Sequence, residues 1–474
     1  MDAKKGKKVL MTNHGASLRY YPLWHPSCLS PRASVVMVLT TLLAVTYDES
    51  KTRSAILRYK YVAPRLSLCE RLYLDQFWNM LAQRIYPPWL APNLITLLGG
   101  LCIVAAAALS AYTSPSMSAE SPYWVYATNA CLLFAYQSLD GSDGKQARKT
   151  HSGSALGELM DHGVDSFAVG LIGFFTIDQF GFGIGSLWPW VFLIGAQASF
   201  LISNMTLFHI GQLRINNLDV IELQTCMIGS LLLTSVMGPR IWADVTLPFV
   251  KVPAVTLETS GLLKFDWSDG IPVRDAFAVV CLVNMSTNIL VVCASIVRHL
   301  CAVSNTEDSA QQDGSQRNGA DASMKDAPCA GFAALRRQLT FVAAYFCVCA
   351  WCVRGCLNIA RTDPQLSHGL LLLLWMLCMA AWGGDVVRHL ALKVGHIPLP
   401  VVSRSLAYVT LFGVAVNVAG AQQPDLVGMA AKALLGMAMF TSVAFFGCAT
   451  SAIAKAVGLH PFRVRGAKHW YSLD

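Results

Sequence analysis

The chain has 474 residues and a formal net charge of +8; 54% of its residues are hydrophobic and only 14% are charged. An ordinary soluble domain carries about 25% charged residues, and the apolar residues here come in long blocks, so we expect a polytopic membrane protein. The composition excludes intrinsic disorder, a disulfide-rich secreted scaffold and a nucleic-acid binder for the chain as a whole. The positive charge requires no acidic partner, because cytoplasmic loops of membrane proteins are rich in Lys and Arg.

The N-terminal part precedes the long apolar blocks. Residues 1–57 are predicted to form a cytosolic or interfacial extension, although the apolar run 34–46 has the length of a signal-peptide core. The Lys and Arg residues in 51–92 argue against export of this region, and an unused upstream start codon is a further alternative. Residues 58–93 form a predicted interfacial segment, because 66–87 place apolar side chains at helical spacing with charged ones between them. Packing on the protein's own surface is the alternative for this helix.

Ten apolar segments follow, most of them close to the 20 or so residues that a helix needs to cross a membrane. They are 94–113, 122–140, 157–178, 183–208, 221–238, 276–297, 338–358, 369–387, 399–419 and 426–455. With a cytosolic N-terminus, the cytosolic loops and the C-terminal tail hold fourteen Lys and Arg residues, and the loops on the other side hold five, as the positive-inside rule requires. The sequence therefore predicts an all-α polytopic integral membrane protein with about ten transmembrane helices and an N-terminal amphipathic interfacial helix.

These segments group into larger predicted units. They are a core of about five transmembrane helices (94–238), a lumenal loop (239–273), a sixth transmembrane helix (274–302), a cytosolic polar linker (303–337), C-terminal transmembrane helices (338–458) and a cytosolic tail (459–474). The polar, low-complexity composition of residues 303–330 in this linker is typical of disorder. The dense cysteine run from Cys347 to Cys356 lies in an apolar segment and matches no zinc spacing, which favours packing over a metal site.

One region carries the chemistry. Asp140 and Asp143 end the second predicted span, and Asp161 and Asp165 lie one turn into the third. Spacings of three and four residues place each pair on one helix face, and the short connection makes the two helices antiparallel neighbours. Four carboxylates therefore converge at the cytosolic end of a membrane bundle. Helix capping or Arg binding is the alternative for individual Asp residues.

Carboxylates in this position need compensation. Each Asp costs about 3 kcal/mol at mid-membrane and less near the interface. The nearby cations Lys145, Arg148 and Lys149 are too few to pair with all four carboxylates. Oxygen ligands favour Mg²⁺ or Mn²⁺, and two facing pairs suit two ions about 4 Å apart that hold both oxygens of a phosphoryl transfer.

The segment Asp140-x2-Asp143-Gly144-x2-Ala147-Arg148-x8-Gly157-x3-Asp161-x3-Asp165 resembles the complete signature of CDP-alcohol phosphotransferases. The sequence around the signature is similar to the eukaryotic choline/ethanolamine branch. The similar segments are DGKQARKT, LGELMDHGVDS and PPWLAPNLITLLG at 87–99. The resemblance extends from about residue 58 to the C-terminus and weakens at 239–272 and 303–330.

This resemblance implies transfer of phosphoethanolamine or phosphocholine, or both, from CDP-ethanolamine or CDP-choline to the hydroxyl of diacylglycerol or alkyl-acylglycerol. CMP would be released, and the product would be phosphatidylethanolamine or phosphatidylcholine, as in the final step of the Kennedy pathway. A cation transporter with an intramembrane carboxylate cluster and a catalytically inactive relative are the alternatives. The resemblance also implies an endoplasmic reticulum or Golgi membrane, a site facing the cytosol, and a homodimer.

The resemblance assigns roles residue by residue. Asp140, Asp143, Asp161 and Asp165 would bind the two metal ions. Small residues at three positions would let the cytidine approach the backbone; these are Gly144, Ala147 and Gly157, with helix packing as the alternative for each Gly. Arg148 would neutralise phosphate charge. Asn93 would contact the nucleotide, with a helix N-cap as the alternative.

A base is expected, because a lipid hydroxyl is a poor nucleophile until its proton is removed. His162 lies between the metal-binding Asp residues, and histidine titrates in the range suited to this task. Glu158 precedes His162 by four residues and is predicted to fix the imidazole tautomer or share its proton. Asp165 is the second candidate for the base. Two further acids near the fifth span, Asp219 and Glu222, are predicted to be solvated at the interface.

Overall fold

The computed structural model describes residue 56 and residues 66–210, 220–249, 252–256, 264–312, 327–359, 363–394, 404–420, 422–458 and 460–464. Ten helices dominate these residues, and each coincides with one of the ten predicted apolar segments. They are α1 (Pro92–Thr113), α2 (Tyr123–Lys149), α3 (Ala155–Gln179), α4 (Leu187–His209), α5 (Val220–Met237), α6 (Val273–Gln312), α7 (Ala327–Ile359), α8 (Pro364–Val394), α9 (Arg404–Val414) and α10 (Pro424–Val457).

Six helical stretches are long and apolar enough to cross a membrane. They are Pro92–Thr113, Val220–Met237, Val273–Val303, Gly331–Ile359, Pro364–Ala391 and Pro424–Lys455. A shorter apolar helix covers Arg404–Ala419, where α9 continues into the π-helical turn Ala415–Ala419. The chain is thus a polytopic α-helical membrane protein, and the full count of ten spans stays a prediction.

A helical segment precedes α1 where the amphipathic helix was predicted. It consists of a π-helical turn (Glu70–Leu74), an α-helical part (Asp75–Met80) and a second π-helical turn (Leu81–Ile85), together called the N-terminal helix. Its inner face buries Leu74, Trp78 and Ala82, spaced four apart, and the helix packs on α2. The alternative of packing on the protein's own surface therefore holds for this face. Location in the membrane interface stays a prediction.

Glu222 at the start of α5 differs from the prediction. Its side chain is only 8% exposed, and one carboxylate oxygen accepts a hydrogen bond from the backbone N–H of Cys69 at 2.9 Å. The prediction of interfacial solvation is therefore wrong for Glu222, because this carboxylate binds a backbone N–H near the start of the N-terminal helix. Asp219 lies outside the described residues.

Helix α3 lies between the two halves of the bundle. Its residues Ala168, Ile172 and Phe175 pack into a core shared with α1, α2 and α5. Its residues Phe174 and Ile177 belong to a larger core shared with α4 and the C-terminal helices α7 to α10. A helix buried on opposite faces holds its polar residues in the interior of the bundle.

The segment between α5 and α6 departs from the all-α prediction. After a single helical turn (Ile241–Asp244), it forms β1 (Thr246–Leu247), β2 (Val252–Thr256), β3 (Lys264–Trp267) and β4 (Ile271–Pro272). Strand β1 pairs antiparallel with β4, in the register Leu247 opposite Ile271, and β2 pairs antiparallel with β3, with Thr256 opposite Lys264. This segment has too few consecutive apolar residues to span a membrane, and the two strand pairs satisfy backbone hydrogen bonds within it.

The predicted polar linker 303–337 is helical at both ends, since α6 continues to Gln312 and α7 begins at Ala327. Residues 313–326 lie outside the described part. A helix of 40 residues is about 60 Å long, so α6 exceeds the ~30 Å hydrocarbon core. The prediction of disorder from composition was wrong for these ends, because a polar helix continuous with an apolar one needs no new nucleation. Cys349, Cys352 and Cys356 are buried in the core, as predicted.

Candidate functional site

The site is built on the end of α2 and the beginning of α3. A five-residue connection (150–154) joins the two helices. At the end of α2 the hydroxyl of Thr150 donates to the carbonyl of Gln146 at 2.8 Å, and at the start of α3 the hydroxyl of Ser154 accepts from the backbone N–H of Gly157 at 3.4 Å. The two helices end and begin at this short connection, so Asp140 of α2 lies close to Asp161 and Asp165 of α3.

Three of the four predicted carboxylates form one cluster. Each of Asp140, Asp161 and Asp165 offers an oxygen, and these three atoms lie within 4.8 Å of one another. Oδ1 of Asp140 is buried, and no group in the described part of the chain hydrogen-bonds to it. Buried carboxylates this close repel one another, and an oxygen without a donor has lost its hydration. This donor set fits a hard divalent cation such as Mg²⁺ or Mn²⁺.

Asp143 lies beside this cluster and has a protein donor. It is buried, one turn beyond Asp140 on α2, and its Oδ2 accepts a hydrogen bond from the hydroxyl of Thr96 on α1. The three-carboxylate cluster does not include it. Its role as a fourth metal ligand stays a prediction.

Tyr136 also touches the cluster, and sequence reasoning missed it. Its hydroxyl donates to Oδ1 of Asp165 at 2.5 Å, which fixes that carboxylate from the opposite helix. Tyr136 precedes Asp140 by four residues, so it shares the helix face of the signature. The four-residue spacing from Asp140 could have identified Tyr136 in the sequence. Nothing in the sequence marked Thr96, which lies on another helix.

The two lysines beside the signature turn away from the carboxylate cluster. Lys145 forms an ion pair with Asp75 of the N-terminal helix. Lys149 donates to the carbonyls of Ala82 at 2.8 Å and Tyr86 at 2.7 Å. The two lysines therefore fasten the N-terminal helix to α2 and do not neutralise the cluster. This strengthens the case for a bound divalent cation.

The segment after the N-terminal helix is fixed to α2 as well. The side-chain amide of Gln146 donates to the carbonyls of Pro87 at 2.9 Å and Leu90 at 3.0 Å. The hydroxyls of Tyr86 and Ser142 are 2.9 Å apart, and burial raises the pKa of Tyr86. A Cβ on Gly141 would lie 2.5 Å from the Trp78 ring, so glycine permits this close packing.

His162 is buried on α3 beside Asp161. Its Nδ1 lies 2.9 Å from Oδ1 of Asn204 on α4, and its Nε2 lies 4.0 Å from Oδ2 of Asp161. Asn204 was not identified from the sequence, because 42 residues separate it from His162 and no motif marks it. Glu158 is buried one turn before His162, but the contact at Nδ1 is made by Asn204. A supporting role for Glu158 stays a prediction.

The small residues predicted to face a nucleotide lie at the open end of the two helices. A Cβ on Gly157 would meet no atom within 4 Å, and one on Gly144 would meet only the guanidinium of Arg148, at 3.8 Å, among the described residues. Helix packing therefore does not explain either glycine. No carboxylate among the described residues forms an ion pair with Arg148. Ala147, which lies between the two glycines in the sequence, is half-buried. These positions leave space and a cation for a phosphorylated ligand.

Asn93 occupies a different place from its N-cap alternative. Helix α1 begins at Pro92 with Ala91 as N-cap and no side-chain cap. The amide of Asn93 instead donates to the carbonyl of Pro461 in the C-terminal segment, at 2.8 Å. The N-cap interpretation was wrong, because Pro92 already supplies the first helical position. The nucleotide contact stays a prediction.

Residues 89–253 match the family model described as CDP-alcohol phosphatidyltransferase. This range contains the carboxylate cluster, His162, Asn204 and the open glycines. The chain contains a CDP-alcohol phosphatidyltransferase domain. The predicted resemblance is thus confirmed for the part of the chain that carries the site.

Known relatives of this domain include cholinephosphotransferase 1 of Xenopus laevis, 36% identical over 205 residues, which cover 43% of this chain and 50% of the relative. Cholinephosphotransferase 1 of Danio rerio is 37% identical over 207 residues, 43% of this chain and 53% of the relative. An uncharacterized CDP-alcohol phosphatidyltransferase class-I family protein 2 of Dictyostelium discoideum is 34% identical over 197 residues, 41% of this chain and 47% of the relative. The matched part spans about half the length of these relatives.

Proposed function

We propose that this protein transfers a phospho-alcohol from a CDP-alcohol to the hydroxyl of a diacylglycerol or alkyl-acylglycerol and releases CMP. The observation that carries this proposal is the cluster of Asp140, Asp161 and Asp165 within the matched domain. The open positions Gly144 and Gly157 support it, because they leave room for a nucleotide beside the carboxylates.

Asp140, Asp161 and Asp165, with Asp143 as the predicted fourth ligand, would hold two Mg²⁺ or Mn²⁺ ions. A bound divalent cation would offset the negative charge of the diphosphate and of the leaving group. Arg148 would contribute a fixed positive charge at the open end of the site, since a guanidinium stays protonated. Tyr136 and Thr96 would hold the carboxylates in place through their hydroxyl hydrogen bonds.

The proposed reaction is a single displacement at phosphorus. The proton of the lipid hydroxyl moves to Nε2 of His162, and the lipid oxygen forms a new bond to the phosphorus that bears the alcohol. The bond from that phosphorus to the oxygen shared with CMP breaks, and CMP leaves with the bonding electrons on its phosphate. Asp165 is the second candidate for the base. One of its oxygens already accepts a hydrogen bond from Tyr136, which leaves His162 as the first candidate.

The alcohol is proposed from the names of the relatives, several of which are cholinephosphotransferases. We therefore take CDP-choline as the first donor and CDP-ethanolamine as the second, with phosphatidylcholine or phosphatidylethanolamine as product. Ten membrane spans, a site facing the cytosol, an endoplasmic reticulum or Golgi membrane and a homodimer belong to the same proposal.

The test uses the full chain purified into lipid vesicles that contain diacylglycerol. Labelled CDP-choline and CDP-ethanolamine are added in parallel with Mg²⁺, with Mn²⁺ or with a chelator. We expect labelled phospholipid from at least one donor, none with the chelator, and a loss of about 10²- to 10⁴-fold in His162→Ala, as is typical when a general base is removed. Asp161→Asn should abolish product.

Asp425→Asn is the matched control, because Asp425 is an exposed carboxylate on α10, in a different helix from the cluster. It should keep full activity. If neither donor gives product with folded protein and metal present, the proposed reaction is wrong. Metal uptake into the vesicles without phospholipid product would instead support the transporter.

A further inference from the structure

Asn204 on α4 faces the catalytic helix α3 and binds two groups. Its amide nitrogen Nδ2 donates to the backbone carbonyl of Phe200 at 2.9 Å, one turn earlier on α4. Its amide oxygen Oδ1 lies 2.9 Å from Nδ1 of His162. A side-chain amide has one donating and one accepting end, so the first contact determines the second.

The orientation of this amide determines the proton on the imidazole. A backbone carbonyl only accepts hydrogen bonds, so the end of Asn204 that faces Phe200 must be the NH₂ group. The end that faces His162 is then the carbonyl oxygen, which also only accepts. Nδ1 of His162 must therefore carry a hydrogen. A neutral imidazole has a single N–H, so Nε2 carries a lone pair.

Asp161 favours the other tautomer of His162, with hydrogen on Nε2. Nε2 of His162 lies 4.0 Å from Oδ2 of Asp161, too far for a hydrogen bond but close enough for attraction between an N–H and a carboxylate. Without Asn204, the imidazole would gain by moving its hydrogen to Nε2 and pointing it at the carboxylate cluster. That tautomer could not accept a proton at Nε2.

We propose that Asn204 is a positioning residue that holds His162 in the tautomer with hydrogen on Nδ1, so that the lone pair of Nε2 faces the carboxylate cluster. The consequence for catalysis rests on the proposed function, in which Nε2 accepts the proton of the lipid hydroxyl. The tautomer itself does not depend on that function. Residues that orient a functional group from behind commonly contribute 10- to 100-fold to activity or metal affinity.

The direct test observes the tautomer by NMR. The full chain is labelled with ring ¹⁵N histidine and studied in lipid nanodiscs. The signals of His162 are identified by their loss in His162→Gln. We expect a protonated, pyrrole-type Nδ1 and an unprotonated, pyridine-type Nε2. The reverse assignment in the wild type would overturn the proposal, whatever the enzyme does.

Asn204→Leu keeps the size of the side chain and removes the acceptor. We expect its His162 signals to shift toward the tautomer with hydrogen on Nε2, or to an average of the two. Asn288→Leu is the matched control, because Asn288 of α6 also binds α4, through Ser199 at 2.7 Å and Ser203 at 3.2 Å. It should leave the His162 signals unchanged. An unchanged tautomer in Asn204→Leu would contradict the proposal.

Activity provides the second readout. In the phospholipid assay we expect Asn204→Leu to lower kcat by about 10- to 100-fold with little change in KM for the CDP-alcohol. In a His162→Ala background the same substitution should cost nothing further, because Asn204 acts through His162. Full additive loss in the double variant would show a merely structural role. If the wild type carries hydrogen on Nδ1 of His162 but makes no phospholipid, the proposed function is wrong and this inference stands.

Discussion

At the scale of single residues, the site depends on hydrogen bonds that reach the carboxylates from other helices or turns. Thr96 donates to Asp143 and Tyr136 donates to Asp165, while Asn204 binds His162. Each of these donors or acceptors restricts a side chain that would otherwise have several rotamers. A divalent cation needs its ligands already in place, since ordering them on binding costs affinity.

Tyr136→Phe tests this view. The substitution removes the hydroxyl that holds Asp165 and leaves the ring in its place. We expect the Mn²⁺ concentration for half-maximal phospholipid synthesis to rise about 10- to 100-fold, with an unchanged unfolding temperature in detergent. Tyr126→Phe is the control, because Tyr126 lies on the same helix ten residues earlier, about 15 Å from Tyr136 along the axis. Equal metal dependence in the two variants would contradict the role of Tyr136.

At the scale of elements, the N-terminal helix stabilises the end of α2. The Lys145–Asp75 ion pair, the two hydrogen bonds of Lys149 and the packing of Trp78 on Gly141 all join these two helices. Helix α2 has 27 residues and is about 40 Å long. Its last turns, which carry the signature, are therefore held in part by the N-terminal helix.

Gly141→Ala should disturb the packing between the N-terminal helix and α2. The new Cβ would lie 2.5 Å from the Trp78 ring, and overpacking of this kind costs about 1–3 kcal/mol. Alanine favours a helix by about 1 kcal/mol over glycine, so a net loss reports the clash. We expect a lower unfolding temperature and lower activity.

Gly229→Ala is the control for this substitution, because a Cβ on Gly229 of α5 would meet no atom within 4 Å among the described residues. It should leave the unfolding temperature unchanged or raise it. If Gly141→Ala is as stable as Gly229→Ala, Trp78 does not need the glycine.

At the scale of the whole molecule, the C-terminal helices complete the environment of α3. A Cβ on Gly163, between Asp161 and Asp165, would lie 2.7 Å from the Phe446 ring of α10. The hydroxyl of Ser166 donates to the carbonyls of Gly163 at 2.7 Å and of Gly383 on α8 at 3.3 Å. The face of α3 that carries the carboxylates thus meets α2, and its other face meets α8 and α10.

Gly163→Ala together with Phe446→Leu tests this coupling. Gly163→Ala alone should lower the unfolding temperature, because the methyl group overlaps the ring. Phe446→Leu removes the ring atoms that the methyl group would meet, so the double variant should be more stable than the sum of the single effects predicts. Phe440→Leu, on the same helix but 57% exposed, should give no such rescue. Strict additivity with Phe446→Leu would contradict direct packing.

The sequence predicted most of the helices and half of the site, for identifiable reasons. Apolar segments long enough for a membrane are a strong local signal, and all ten coincide with helices. The linker was less predictable, because low complexity does not prevent α6 and α7 from extending into it. The predicted solvation of Glu222 failed because its partner, the N–H of Cys69, is 153 residues away.

The sequence by itself determined which carboxylates could meet. The three- and four-residue spacings place each Asp pair on one helix face, and the short connection makes the two helices antiparallel neighbours. Only the tertiary structure decided which groups surround the carboxylates: Tyr136 and Thr96 as donors, the lysines turned toward the N-terminal helix, Asn93 bound to Pro461, and Asn204 behind His162. Local periodicity places residues along one helix, whereas contacts between distant helices depend on how the whole bundle packs.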